Sequence, residues 1–221
     1  MDYKKIDAKA YAREHFVGIW AANLTPFDEA LRLDEAAYQA NLAHWIGELK
    51  LGGLFIGGKQ AEYFSLSIPE RKRIMQLAVE AAQAAGDRGG AGRCGIVTSC
   101  SDTNLDVVLS LARYSQNVGA DYVIVHSPVL HFGANTAETI YEYYRYLSEQ
   151  LSIGIAMWNH PDCGYLMSPE LCARIADLPN IVAIKYSVPR EMYARLTHLA
   201  GDRLIVSTAS EEEWLDNILE L

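Results

Sequence analysis

Ile181-Val182-Ala183-Ile184-Lys185-Tyr186-Ser187 places four apolar residues directly in front of a lysine. A strand that is apolar on both faces suits a parallel sheet covered by helices, where ligands sit at the carboxyl ends of the strands. Lys185 stands at that end. An ammonium group in such company is costly unless it reaches water or does chemistry. Two readings follow. In one, the lysine stem lies on apolar surface and its head reaches solvent. In the other, burial disfavours the charged form and leaves a neutral amine nucleophile, which is what Schiff-base chemistry requires.

Strands and helices alternate outward from this stretch. Phe16 to Ala22 reads as a first strand, stopped by Pro26. Gly52 to Gly58, Arg93 to Thr98, Tyr122 to His126 and Gly154 to Trp158 follow as strands two to five, Ile181 to Ser187 is the sixth, and Leu204 to Ser207 the seventh. The segments between them carry helical periodicity and start signals. Asp34 caps a helix through about Leu49, with Ala37, Ala40, Leu42 and Ile46 facing inward. Ser67-Ile68-Pro69-Glu70 combines an N-cap, a first-turn proline and an acid that can close a capping box, and opens a helix through Ala85. Further helices are expected over Asn104 to Val118, Thr136 to Gln150, from Ser168-Pro169-Glu170 onward, Arg190 to Leu199, and Glu211 to Leu221. Residues 1 to 15 form a polar lead-in.

A strand and a helix in each unit of about thirty residues signal a repeated parallel βα architecture. The fold class is therefore α/β, of the TIM (β/α)8 barrel type, with only seven βα units present. Residues 1–221 are read as a single incomplete barrel domain. A closed barrel usually takes about 250 residues, and an open seven-stranded sheet leaves its two outer strands with unpaired backbone groups. The chain is accordingly expected to be the N-terminal part of a longer barrel. A doubly wound open sheet is the alternative, but no glycine-rich phosphate turn follows the first strand.

Half of the 221 residues are hydrophobic, enough for a substantial core, and the formal net charge is −9. An acidic chain argues against nucleic acid or an anionic membrane surface as partner. No apolar run approaches the roughly 18 residues of a membrane span, and a cytoplasmic protein is expected. The four cysteines, Cys94, Cys100, Cys163 and Cys172, show no close metal-type pair and are read as free thiols.

Several segments, in order, resemble one family. These are Ala22-Asn23-Leu24-Thr25-Pro26-Phe27-Asp28, Gly57-Gly58 through Glu62 with Ser65-Leu66-Ser67 and Glu70-Arg71, Gly119-Ala120-Asp121, Ser127-Pro128, Trp158-Asn159-His160-Pro161, Ser168-Pro169-Glu170, and Leu178-Pro179-Asn180 running into Lys185. The chain resembles the N-acetylneuraminate lyase and dihydrodipicolinate synthase family of Schiff-base barrels. The resemblance implies that Lys185 condenses with the ketone of pyruvate or a related 2-oxo acid, after which a carbon–carbon bond is made or broken. It also implies a homotetramer. No metal and no cofactor are expected.

Three parts of the family pattern are altered. The carboxylate anchor of the family, a glycine, two hydroxyl residues, a glycine and a glutamate, reads Gly58-Lys59-Gln60-Ala61-Glu62 here. Lys59 and Gln60 are the candidates to meet a carboxylate by charge and hydrogen bond; the alternative for Lys59 is a solvated loop position. The tyrosine that shuttles protons at the end of the fifth strand is Trp158, whose indole only donates. The tyrosine that the synthases supply across subunits is missing from Ser127-Pro128-Val129-Leu130, and their arginine is missing from His160-Pro161-Asp162-Cys163-Gly164, which argues against dihydrodipicolinate synthase activity itself. His126 and His160 are candidate replacement relays or structural histidines. Tyr186 should point away from the barrel interior, whereas Ser187 shares the Lys185 face and is a candidate substrate contact.

Three functions are consistent with these residues. The first is a lyase or aldolase acting on a 2-oxo acid, with Lys185 as imine former, Lys59 and Gln60 near the carboxylate, and Trp158 and Ser187 lining the pocket. The second is a degenerate, ligand-binding member of the same family. The third is a metal-dependent barrel hydrolase using His126, His131, His160 and Asp162, although the first strand lacks the paired histidines such sites often use.

Overall fold

The computed structural model describes residues 2–86, 92–128, 136–161, 165–208 and 210–220. Seven strands are hydrogen-bonded in the order of the chain: β1 (Trp20–Ala22), β2 (Gly53–Ile56), β3 (Gly95–Ser99), β4 (Tyr122–His126), β5 (Gly154–Asn159), β6 (Ile181–Tyr186) and β7 (Ile205–Ser207). The ladders β1–β2, β2–β3, β5–β6 and β6–β7 are parallel. Helices α1 (Ala8–His15), α2 (Glu35–Ala43), α3 (Ile68–Ala85), α4 (Leu105–Val118), α5 (Ala137–Gln150), α6 (Pro169–Ile175), α7 (Arg190–Ala200) and α8 (Trp214–Glu220) alternate with them. The fold is α/β with seven successive βα units, as the alternation in the sequence predicts.

The start signals act as read. Asp34 accepts a hydrogen bond from the Ala37 N–H, Ser67 and Glu70 form a reciprocal capping box, and Ser168 accepts from the Leu171 N–H. Several boundaries differ from the sequence reading, among them the start of β3, which is Gly95 rather than Arg93. The first strand does not begin at Phe16, because Gly18 turns the chain at φ +78° and Phe16 is used as a packing residue. The helix expected through Leu49 loosens into a π-helical turn over His44–Glu48. The last helix opens with a 3-10 turn at Glu211–Glu213, and Leu221, its expected end, lies outside the described residues.

The described residues form two compact units, one of Glu14–Cys100 and Ser110–Val123 with the chain start, the other of Tyr3–Arg13, Ser101–Leu109 and Ile124–Leu221. In the first, Trp20 pairs in register with Gly53, which pairs with Gly95. The two glycines leave a flat floor across three strands, and the Trp20 indole lies on it. A Cβ built on either would come within 2.3 Å of the ring. Phe16 packs on Trp20 with centroids 4.0 Å apart and stacks on Tyr122 at 4.8 Å, which completes an aromatic plug at the amino-terminal end of these strands. Gly119, at φ +96°, makes the left-handed turn that brings Asp121 to the Ile96 N–H and to Arg93. Burial pushes the Asp121 carboxyl up from its ordinary value against the opposing pull of Arg93.

In the second unit the β5 and β6 strands are buried almost throughout, Ile181 to Ile184 without a break. Asn180 lies under them. Its carbonyl accepts from the Ile155 N–H, its amide nitrogen donates to the Leu151 and Ile153 carbonyls, and its side-chain oxygen accepts from Ser148. The lead-in is tied to this unit, since Lys5 donates to the Ser148 carbonyl, Lys9 to the Ala176 carbonyl, and the Gly154 N–H to the Tyr3 hydroxyl. Burial lowers the Lys5 and Lys9 ammonium groups from their ordinary value.

Cys94, Cys100 and Cys172 are buried free thiols, and burial pushes Cys100 up to about 11; Cys163 lies outside the described residues. No helix among the described residues is long and apolar enough to cross a membrane.

The aromatic plug makes a stability prediction. Gly95→Ala drives a methyl into the Trp20 ring and should lower the unfolding free energy by about 1–3 kcal/mol, the usual cost of overpacking. Gly47→Ala, where nothing lies within 4 Å of the added carbon, should not be destabilising. Urea denaturation of the two variants checks the contrast.

Candidate active site

The candidate site is built at the carboxyl ends of β4 to β7. Along β5 and β6 the pairing starts as Ile155 with Ile181, then shifts by one residue, so that Ala156 faces Ala183 and Trp158 faces Lys185. Had the ladder continued in step, Trp158 would have faced Ile184. Side chains alternate across a sheet, so this single shift moves the indole onto the face that carries Lys185. The result is a contact, with the Lys185 Nζ 5.3 Å from the Trp158 ring centroid. Trp158 is 3% exposed and Lys185 half-buried. On the other side, Lys185 pairs with Ser207, whose hydroxyl donates to the Ile184 carbonyl.

His126 ends β4 and packs its ring against Trp158, centroids 6.0 Å apart. Its backbone N–H donates to the Ser101 hydroxyl at 3.1 Å, and its Nδ1 lies 2.7 Å from the Ser127 carbonyl oxygen. A carbonyl only accepts, so Nδ1 carries the hydrogen, and in the neutral ring Nε2 carries the lone pair. His126 is 7% exposed. His160 follows the last residue of β5 and is half-buried.

The opposite face of the same strand ends holds the structure together. Asn159 pairs with Tyr186, its side-chain oxygen accepts from the Met167 N–H, and the Tyr186 hydroxyl donates to the Met167 carbonyl. Ser127 donates to the Tyr165 carbonyl. These bonds fix the segment that enters α6. Tyr186 therefore faces away from Lys185. Ser187, just past β6, donates its N–H to the Asn159 carbonyl, and its hydroxyl oxygen is buried without a hydrogen-bond partner among the described residues.

Lys59 and Gln60 belong to the other unit, on the loop after β2, and both are exposed. The loop is wound by bonds from the Ala61 N–H to the Gly58 carbonyl and from the Glu62 N–H to the Lys59 carbonyl. Asn23 and Thr25 hold it from β1: the Asn23 side-chain oxygen accepts from the Gly57 N–H, its amide donates to the Tyr38 hydroxyl, and Thr25 donates to the Ala61 carbonyl. Gly57 and Glu62 take positive φ, +71° and +53°.

The profile of the dihydrodipicolinate synthetase family matches residues 15–221. The chain belongs to this family. A 4-hydroxy-tetrahydrodipicolinate synthase from Fervidobacterium nodosum is 32% identical over 77% of the chain, and a probable 5-dehydro-4-deoxyglucarate dehydratase from Corynebacterium glutamicum is 30% identical over 85%. The chain spans 55% of the length of each. A solved N-acetylneuraminate lyase from Mycoplasma synoviae superposes with a TM-score of 0.80 at 19% identity, over 93% of this chain and 67% of that one. The seven βα units are thus those of a TIM-type barrel of the dihydrodipicolinate synthetase family.

In this family member, Lys185, Trp158 and His126 are brought together within one unit, and Ser187 lies two residues beyond Lys185. Ser101, which holds the His126 backbone, gave no signal in the sequence. Among the described residues no three His, Cys, Asp or Glu side chains gather as a metal site requires; His131 and Asp162 lie outside them.

Tyr186→Phe removes the donor to a buried carbonyl and should cost about 1–3 kcal/mol in stability. Thermal or urea unfolding of the variant measures it, and a loss below a few tenths would contradict the bond.

Proposed function

We propose that this chain carries the Schiff-base site of a lyase acting on pyruvate or another 2-oxo acid, with Lys185 as the imine-forming residue. The amine attacks the ketone carbon, the carbinolamine expels water, and the resulting iminium draws electrons from the neighbouring carbon, where a bond to carbon or oxygen can then break or form. The observation that supports this reading is the Lys185–Trp158 contact. The indole face attracts a positive nitrogen, and that attraction holds for an iminium at the same position as for an ammonium. A buried aromatic wall also excludes the water that would hydrolyse the imine.

The similarity to a relative named for a dehydratase extends the substrate class to hydroxylated 2-oxo acids and the reaction class to loss of water. The absence of the synthase tyrosine and arginine from the sequence argues against dihydrodipicolinate synthesis. The acidic charge and buried free thiols support a cytoplasmic location, and the family resemblance supports a homo-oligomer.

Borohydride reduction in the presence of pyruvate and a panel of longer 2-oxo acids tests the assignment. A covalent adduct is expected on the peptide containing Lys185, and none in Lys185→Ala. Folded protein that acquires no adduct on Lys185 from any member of the panel would overturn it.

A further inference from the structure

A Schiff base alone does not complete a reaction at the neighbouring carbon, because a proton must leave that carbon or a hydroxyl beside it and later return. We infer that His126 is the group that takes and returns this proton, acting through Nε2 on substrate held at Lys185. The inference rests on Lys185 forming the imine.

The side chains around Lys185 divide by what they can do. Trp158 has an indole N–H, which donates but does not cycle a proton near neutral pH. Tyr186 lies on the opposite face with its hydroxyl committed to the Met167 carbonyl. The Ser207 hydroxyl donates to the Ile184 carbonyl. Serine hydroxyls are too weakly basic to hold a proton without a base beside them. An imidazole titrates in the required range, and that of His126 is already oriented: the Ser127 carbonyl fixes the hydrogen on Nδ1, the Ser101 hydroxyl holds the backbone, and the Trp158 ring packs against it. The lone pair is thereby assigned to Nε2.

The spacing fits. Strands β4 and β6 flank β5, and neighbouring strands lie about 4.8 Å apart, so the two backbones run about 10 Å apart. The Lys185 Nζ lies 5.3 Å and the His126 ring 6.0 Å from the same indole, so a small 2-oxo acid carried on Nζ along that ring would come to the imidazole. The step balances within the site. The C–H electron pair at C3 becomes the enamine double bond, the iminium π pair becomes the nitrogen lone pair, and the proton goes to Nε2. Reversal returns it. In cleavage of a hydroxylated substrate, the proton comes from the hydroxyl, the O–H pair forms the new carbonyl, and the broken carbon–carbon pair forms the enamine.

The test separates imine formation from proton transfer in the full chain. Exchange of the pyruvate methyl hydrogens in deuterated water, followed by proton NMR, reports the proton step, and borohydride trapping reports the imine. His126→Gln should slow exchange by about 100-fold or more, the usual worth of a general base, while trapping on Lys185 stays within about twofold. His126→Gly should regain exchange when imidazole is added. Exchange at the wild-type rate in His126→Gln would overturn the assignment, as would parallel loss of trapping and exchange, or loss of exchange in His160→Gln with none in His126→Gln. Absence of trapping in the wild-type chain would instead defeat the Lys185 reading on which this one stands.

Discussion

A one-residue slip in a parallel ladder decides what faces Lys185. Between Ile155 and Ala156 the β5–β6 pairing moves by one position, and every β5 side chain beyond it changes its neighbour on β6. β6 carries one extra residue, Val182, at this point, and because side chains otherwise alternate along a strand, a slip of one changes which face meets which. It turns the Trp158 ring toward the amine and puts Asn159 beside Tyr186 on the other side. The first pair is the candidate chemistry and the second is structural support. Neither exists without the other, since consecutive residues on each strand supply both.

The support fixes the backbone beneath the face that carries Lys185, Trp158 and His126. Met167 is gripped at both its N–H and its carbonyl, by Asn159 and Tyr186, and Asn180 closes the amino-terminal end of β5 with four hydrogen bonds. Buried polar groups are costly unless paired, and here they are paired in ways that fix backbone rather than substrate. Lysine, indole and imidazole are then presented by rigid strand ends, which is the condition for a site that must hold a covalent intermediate in one orientation.

Much of this was legible in the sequence. The alternation of apolar runs with capped amphipathic segments gave seven βα units, and Asp34, Ser67 and Ser168 marked helix starts that the structure contains, because capping depends on side chains only three residues away. Lys185 stood out as a charge closing an apolar run. Register did not, since no local pattern in Ile155–Trp158 or Ile181–Lys185 records which residue faces which. The Trp20 plug was invisible for the same reason: Gly53 and Gly95 read as strand residues, and nothing local shows that one indole covers both until three strands are laid side by side. Phe16 to Ile19 read as strand because they are mostly apolar, yet Phe16 packs on Trp20 and Tyr122 while Val17 and Ile19 stay exposed. The candidate ligands His131 and Asp162 fall outside the described residues.

The Lys185 nitrogen lies against the Trp158 ring, and the His126 ring packs on the same indole. The most direct measurement is a crystal structure of the protein after reduction with a 2-oxo acid. Electron density should run continuously from the Lys185 Nζ into the acid, along the Trp158 indole, with the carbon next to the former ketone turned toward the His126 Nε2. Density that leaves Lys185 unmodified in solvent, with the acid bound elsewhere or away from Trp158, would contradict it.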